Sequence, residues 1–266
     1  MADLMADTFD VDTALLGGRG LWSNLGDWTD AKSYDEACAA LARRVGKAAG
    51  LGPARDVLDV ACGYGGSARL WGAEFGVSAV DATDIRPACV ESLRRAAYPG
   101  IRHVFISDVS KEIDLPPMVR YDAVVSVDAA YHFASALDLG RLARRCLISG
   151  GRLAYTTLVW AGQESEQNSL SRRLFLKAAS IPKSAMATPR DLTAKLTDLG
   201  FKGVEISILD DEVLLGFARY VGRVSSALSM AQRLRPAWWK IWLTAQACSR
   251  LRGWGIQYVL VSAQWS

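Results

Sequence analysis

Histidine is scarce in this chain of 266 residues: there are two, His103 and His132. With so few imidazoles, and no Cys-x-x-Cys pair among five cysteines, no metal site is expected. Cys38, Cys62, Cys89, Cys146 and Cys248 are odd in number and far apart. That argues against a disulfide framework and for a reducing, cytoplasmic setting. Charge of one sign is also in short supply. A formal net charge of +3 is too small to suggest nucleic acid, and doublets such as Arg43–Arg44 and Arg94–Arg95 read as solvated helix faces. No apolar run is long enough to span a bilayer, and the acidic start Met-Ala-Asp-Leu-Met-Ala-Asp lacks the form of a signal peptide. What remains is a chain that is 50% hydrophobic, enough to bury a sizeable core.

The pattern along the chain alternates strand and helix. Strands are expected near 56–60, 77–84, 102–107, 121–127, 152–159 and 203–209, with a last one at Ile256–Ser262. A first helix opens with a capping box, Ser33 with Glu36 three residues on, and stops at Gly50. Further helices fall near 67–75, 87–97, 135–147 and 164–180. Another begins at Thr188-Pro189 and ends at Gly200. Such alternation predicts an α/β fold with a mostly parallel sheet and helices on both faces. Residues 1–32 read as an arm and a covering segment, and 33–266 as the main domain. Insertions at about 160–187 and 210–254 are expected to fold over the carboxyl edge of the sheet as a helical lid.

The most informative stretch is Asp56-Val-Leu-Asp-Val-Ala-Cys-Gly-Tyr-Gly-Gly66. A buried strand ends near a carboxylate and runs into a glycine turn, and a helix starts close to Ser67. The turn and the helix N-terminus face one spot at the carboxyl end of the strand, the usual nucleotide site of open α/β sheets. Gly63-Tyr-Gly-Gly-Ser-Ala is a poor dinucleotide fingerprint, and a pyrophosphate has no use for Asp59. A cationic ligand does.

Val57–Gly66 resembles the first motif of the class I S-adenosylmethionine (SAM)-dependent methyltransferases, with Ala61 where that family more often has glycine. Val80–Pro87 resembles the second strand, whose terminal acid holds the ribose hydroxyls; Asp84 takes that role, with Asp81 as the alternative. Phe105–Val109 resembles the third-strand end, which assigns Asp108 to the adenine amino group. Tyr121–Val127 resembles the fourth strand, and Leu147–Leu153 the turn before the fifth, with Ser149 in place of proline. The resemblance implies a Rossmann-like seven-stranded sheet in which the last strand runs antiparallel between the fifth and sixth. It implies SAM as cofactor, held by Asp59, Ala61, Gly63, Gly65, Asp84, Ile85, Asp108, Val109 and Asp128. Bacterial natural-product methyltransferases, among them the geranyl diphosphate C-methyltransferases and rifamycin O-methyltransferases, are similar in the segment Trp22–Trp28 and in Tyr131-His132-Phe133. By that likeness Gly26 and Trp28 lie near the methionine end of the cofactor.

Methyl transfer from a sulfonium needs alignment above all; positioning can supply roughly 7–11 kcal/mol. His132 follows the fourth strand at the active edge and is the candidate base, with Tyr131 beside it. A positioning or capping role for His132 stands against this, and His103 reads as structural. Phe133, Trp160, Phe175, Phe217, Tyr220, Trp238, Trp239 and Trp242 are the candidate lining of an apolar substrate pocket. The expected activity is methylation of a lipophilic small molecule, a natural product, with oxygen as acceptor. The alternatives are a C-methyltransferase and a methyltransferase-fold cyclase that keeps SAM as scaffold. No nucleic-acid partner is expected, and a homodimer is left open. The tryptophans and basic residues of 233–252 allow either a solvated lid helix or a peripheral membrane contact.

Overall fold

The strand and helix order of the computed structural model, which describes residues 13–111, 119–162 and 170–266, follows the alternation of the sequence. The strands are β1 (Asp56–Val60), β2 (Ala79–Asp84), β3 (Ile101–Ile106), β4 (Tyr121–Ser126), β5 (Leu147–Trp160), β6 (Phe201–Ile208) and β7 (Ile256–Trp265). They form one sheet in the order β3-β2-β1-β4-β5-β7-β6. The first five are parallel. β7 runs antiparallel between β5 and β6, with Trp160 opposite Ile256 and Phe201 opposite Trp265. β1 is central and wholly buried beyond Asp56, as its run of Val57, Leu58 and Val60 requires.

Helices cover both faces. On one lie α1 (Tyr34–Ala48), α2 (Gly66–Phe75) and α3 (Pro87–Ala96). On the other lie α4 (Asp138–Cys146) and α6 (Pro189–Asp198), with α5 (Leu170–Ala178) preceding α6 in the chain. The predicted caps form: Ser33 and Glu36 close a capping box on α1, and Thr188 accepts from the Asp191 amide ahead of α6.

The expected helical matter of 212–252 is broken rather than continuous. A π-helical turn, Asp210–Leu215, leads into α7 (Gly216–Ala227); α8 (Met230–Arg233) is a single turn, and α9 (Pro236–Leu251) follows. Ser229 and Gln232 form a new capping box, and Pro236 can only open a helix. The arm at 1–12 and the start of the helix expected from 164 lie outside the described residues. No described helix is long and apolar enough to cross a membrane.

Candidate active site

At the carboxyl end of β1 the chain turns through Ala61 and Gly63, both at positive φ, into α2. Asp59 points into the helix that follows. Its Oδ2 accepts hydrogen bonds from Ser67 Oγ at 2.7 Å and Trp71 Nε1 at 2.8 Å. Its Oδ1 is buried without a partner. An unpaired buried carboxylate oxygen is costly. Burial, with a smaller push from Asp84, raises the Asp59 pKa to about 7 despite the two donors.

One strand away, Asp84 ends β2. Its Oδ2 accepts from the Gly63 amide at 2.8 Å, and its Oδ1 from the Arg86 amide at 2.9 Å and the Arg86 side chain at 3.1 Å. This geometry separates it from Asp81. The oxygens of Asp81 are taken by Arg102, His103 and Tyr121 inside the sheet, three residues before the active edge. His103 is thereby structural. Asp108 follows β3 and accepts from the Ser110 amide, with Lys111 3.4 Å away. Ile85 stands exposed beside Asp84, while Val109 packs against the apolar cluster of the opposite face.

Asp128 is a third, different node. It follows β4 with φ +58° and is half-buried. One oxygen accepts from Tyr131 and Tyr258, each at 2.8 Å; the other accepts from the Leu25 amide at 2.6 Å. Its own amide donates to Thr156 Oγ1. Burial raises its pKa to about 6 against these donors. Asp128 thus ties the N-terminal segment to β4, β5 and β7. Tyr131, the other catalytic candidate, spends its hydroxyl on this network.

That N-terminal segment lies across the glycine turn. A Cβ on Gly66 would meet the Trp22 ring at 2.6 Å and the Leu21 carbonyl at 2.7 Å. Leu21, Trp22, Ser23 and Asn24 roof a cavity of about 30 Å³ above Cys62, Gly63 and Ser67. Gly26 packs on Ala37, and Trp28 stacks on Tyr220 with centroids 4.1 Å apart. Tyr220 in turn donates to the Leu16 carbonyl. These two rings fasten the segment to α7.

His132 sits in a short 3-10 turn, Ala130–His132. Burial lowers its pKa to about 4; a hydrogen bond to the Ser180 backbone opposes this, and the charge of Arg86 adds to it. Trp160, Phe217 and Trp238 are buried, and Phe133 and Phe175 half-buried. Trp239 and Trp242 correct the expectation: both lie on the outer side of α9, exposed, because Trp238, Ile241 and Ala245 take its inner side. Arg86, Thr156, Tyr258 and Trp22 were missed as site residues. Arg86 left a signal as the cation two residues after the strand-end acid, and Trp22 as part of the glycine-and-tryptophan segment.

S-adenosylmethionine fits this site on its residues. The unpartnered Oδ1 of Asp59, the Gly63 turn and the strand-end Asp84 together offer acceptors and close backbone approach to a cationic nucleoside. No group of three or more His, Cys, Asp or Glu suited to a metal occurs among the described residues.

The sheet order, with its antiparallel seventh strand, and the turn after β1 define the fold of the class I SAM-dependent methyltransferases. Within it, residues 57–151 match the family described as "Methyltransferase domain"; SAM is the cofactor of this enzyme class. No curated protein matches the chain's sequence. Among solved structures, Haemonchus contortus phosphoethanolamine N-methyltransferase 2 with S-adenosyl-L-methionine is similar at 16% identity and a TM-score of 0.76, covering 99% of this chain. The chain spans 59% of that longer protein, and 52% in its complex with phosphomonomethylethanolamine and S-adenosylhomocysteine. Geranyl diphosphate C-methyltransferase from Streptomyces coelicolor A3(2) is 17% identical, covering 99% of this chain and 97% of that one at a TM-score of 0.73. The [4+2]-cyclase SpnF is 17% identical, covering 100% and 97% at a TM-score of 0.72.

Proposed function

We propose that this chain transfers a methyl group from SAM to a lipophilic small molecule. The observation that carries the proposal is the buried, unpaired Oδ1 of Asp59 beside the Gly63 turn and Asp84. A cationic nucleoside satisfies that oxygen directly or through water, and so offsets the burial of the carboxylate. Asp84 accepts from the ribose hydroxyls, in exchange for part of its contact with Arg86. Ile85 offers an apolar wall to the base and Asp108 an acceptor at its edge. When bound, the cofactor supplies an electrophilic methyl on a good leaving group, so the chain's main task is alignment.

In this reading the described parts of the two insertions, 170–187 and 210–254, serve as the lid, and Trp238, Phe217 and Trp160 as apolar walls. His132 faces this region from the end of β4. Burial keeps it neutral near pH 7, and the same lowering, to about 4, makes it a weak base. We take oxygen as the acceptor because a histidine stands after β4, at the carboxyl edge of the sheet. The same low basicity favours a second reading, in which the acceptor is carbon and its proton leaves late, or the pocket cyclises its substrate with no methyl transferred.

Calorimetry with SAM and S-adenosylhomocysteine tests the first step. Wild type is expected to bind both, and Asp84→Ala to bind at least about tenfold more weakly, the effect of losing a pair of hydrogen bonds to a buried acceptor. Absence of binding by the wild type removes the proposal. Incubation with methyl-labelled SAM and lipophilic hydroxylated substrates then counts S-adenosylhomocysteine per product: one for methylation, none for cyclisation.

A further inference from the structure

The outer side of α9 is unusual for a surface helix. Its inner side, Trp238, Ile241, Ala245, Cys248 and Leu251, is buried in the same core as Tyr131 and Trp28. Its outer side presents Trp239, Trp242 and Leu243. Met230 and Leu234 extend the patch just before α9. Met230 is 70% exposed, Leu234 68%, Leu243 57% and Trp239 50%. A face of large apolar side chains that stays exposed among the described residues marks a contact surface.

Charge decides which partner fits. From Val213 to Ser266 the sequence has seven Arg or Lys and no Asp or Glu. Arg235 and Arg250 stand on the outer side of α9 with the apolar residues, and Lys240 lies next to Trp239. A second copy meeting this face through its own would bring like charges together. An anionic lipid surface supplies the opposite sign, and tryptophan prefers the headgroup boundary.

We propose that α8 and α9 dock this chain on the surface of an anionic bilayer. The helix lies in the headgroup plane, Trp239 and Leu243 inserted and the basic rim on the phosphates, while the inner side keeps its place in the core. The proposal goes beyond methyl transfer and does not depend on it.

Co-sedimentation of the full chain with vesicles tests it, without cofactor or turnover. Vesicles of equal phosphatidylglycerol and phosphatidylcholine are expected to bind the wild type at least about tenfold better than phosphatidylcholine alone, with binding weakened by salt. The double variant Trp239→Glu with Leu243→Glu is expected to lose at least about tenfold in partitioning while its thermal melt stays unchanged. The milder pair Trp239→Ala and Leu243→Ala is expected to lose in the same direction and serves if the first does not fold. No binding of the wild type to anionic vesicles at low salt overturns the proposal, as does equal binding by a folded double variant. A dimer in sedimentation velocity that the double variant abolishes, with no vesicle binding, would assign the face to a second copy instead.

Discussion

Ala61 and Asp128 sit at opposite ends of the site with the same backbone angle, φ +58°. Asp tolerates the left-handed region through local hydrogen bonding, and Asp128 has its partners. Ala61 has no such relief. A left-handed L-residue costs roughly 1–2 kcal/mol, and glycine returns part of that through the freedom of the unfolded chain. Ala61→Gly should therefore raise stability by a net ~0.5–1 kcal/mol, seen as a higher urea midpoint at constant slope. A midpoint that stays or falls would show that the turn is not strained. At this scale the acids were legible, because a carboxylate after a run of buried β-formers marks a strand end. Their partners were not. Asp81 and Asp84 are three residues apart, and only the register of β2 against β3 gives one to Arg102 and Tyr121 and the other to the active edge.

The segment Leu21–Trp28 lies across the glycine turn of the candidate site. It is held at one end by Leu25 on Asp128 and Trp28 on Tyr220, and lies over Gly66 at the other. Gly66→Ala places a methyl group against the Trp22 ring and should loosen the same end. Trypsin cleavage after Arg19 is the readout: several-fold faster in the variant is expected, and an unchanged rate would mean that Trp22 does not rest on Gly66. The sequence marked this segment by its glycine and tryptophan content. It could not show what lay beneath, since Trp22 and Gly66 are 44 positions apart.

For the whole molecule, the buried ionisable groups pull stability in opposite directions. Asp59 and Asp128 have folded pKa values of about 7 and 6, above the ordinary carboxylate value. The stability they contribute is present below about pH 4 and is lost as pH rises through those values. His132, lowered to about 4, contributes stability that is present above pH 6.5 and lost as pH falls toward 4. The three partly cancel, so the wild-type curve alone is uninformative. Asp59→Asn removes one group. Denaturant unfolding of both proteins should give a wild-type stability that declines relative to the variant from about pH 4 to about pH 7 and runs parallel above. A pH-independent difference would mean that Asp59 titrates normally and is not shut away from solvent.

Local sequence was enough for the alternation of strands and helices, the caps, the turn after β1 and the acids at the strand ends, because each depends on neighbours within a few positions. Packing of distant parts was needed to turn Trp239 and Trp242 outward, to anchor the N-terminal segment on Asp128, and to bring Tyr258 across from the last strand. Those outcomes join residues up to 130 positions apart, as Asp128 and Tyr258 are. Nothing local encodes which side of α9 meets the core, since apolar residues lie on both; packing against the rest of the chain makes that choice.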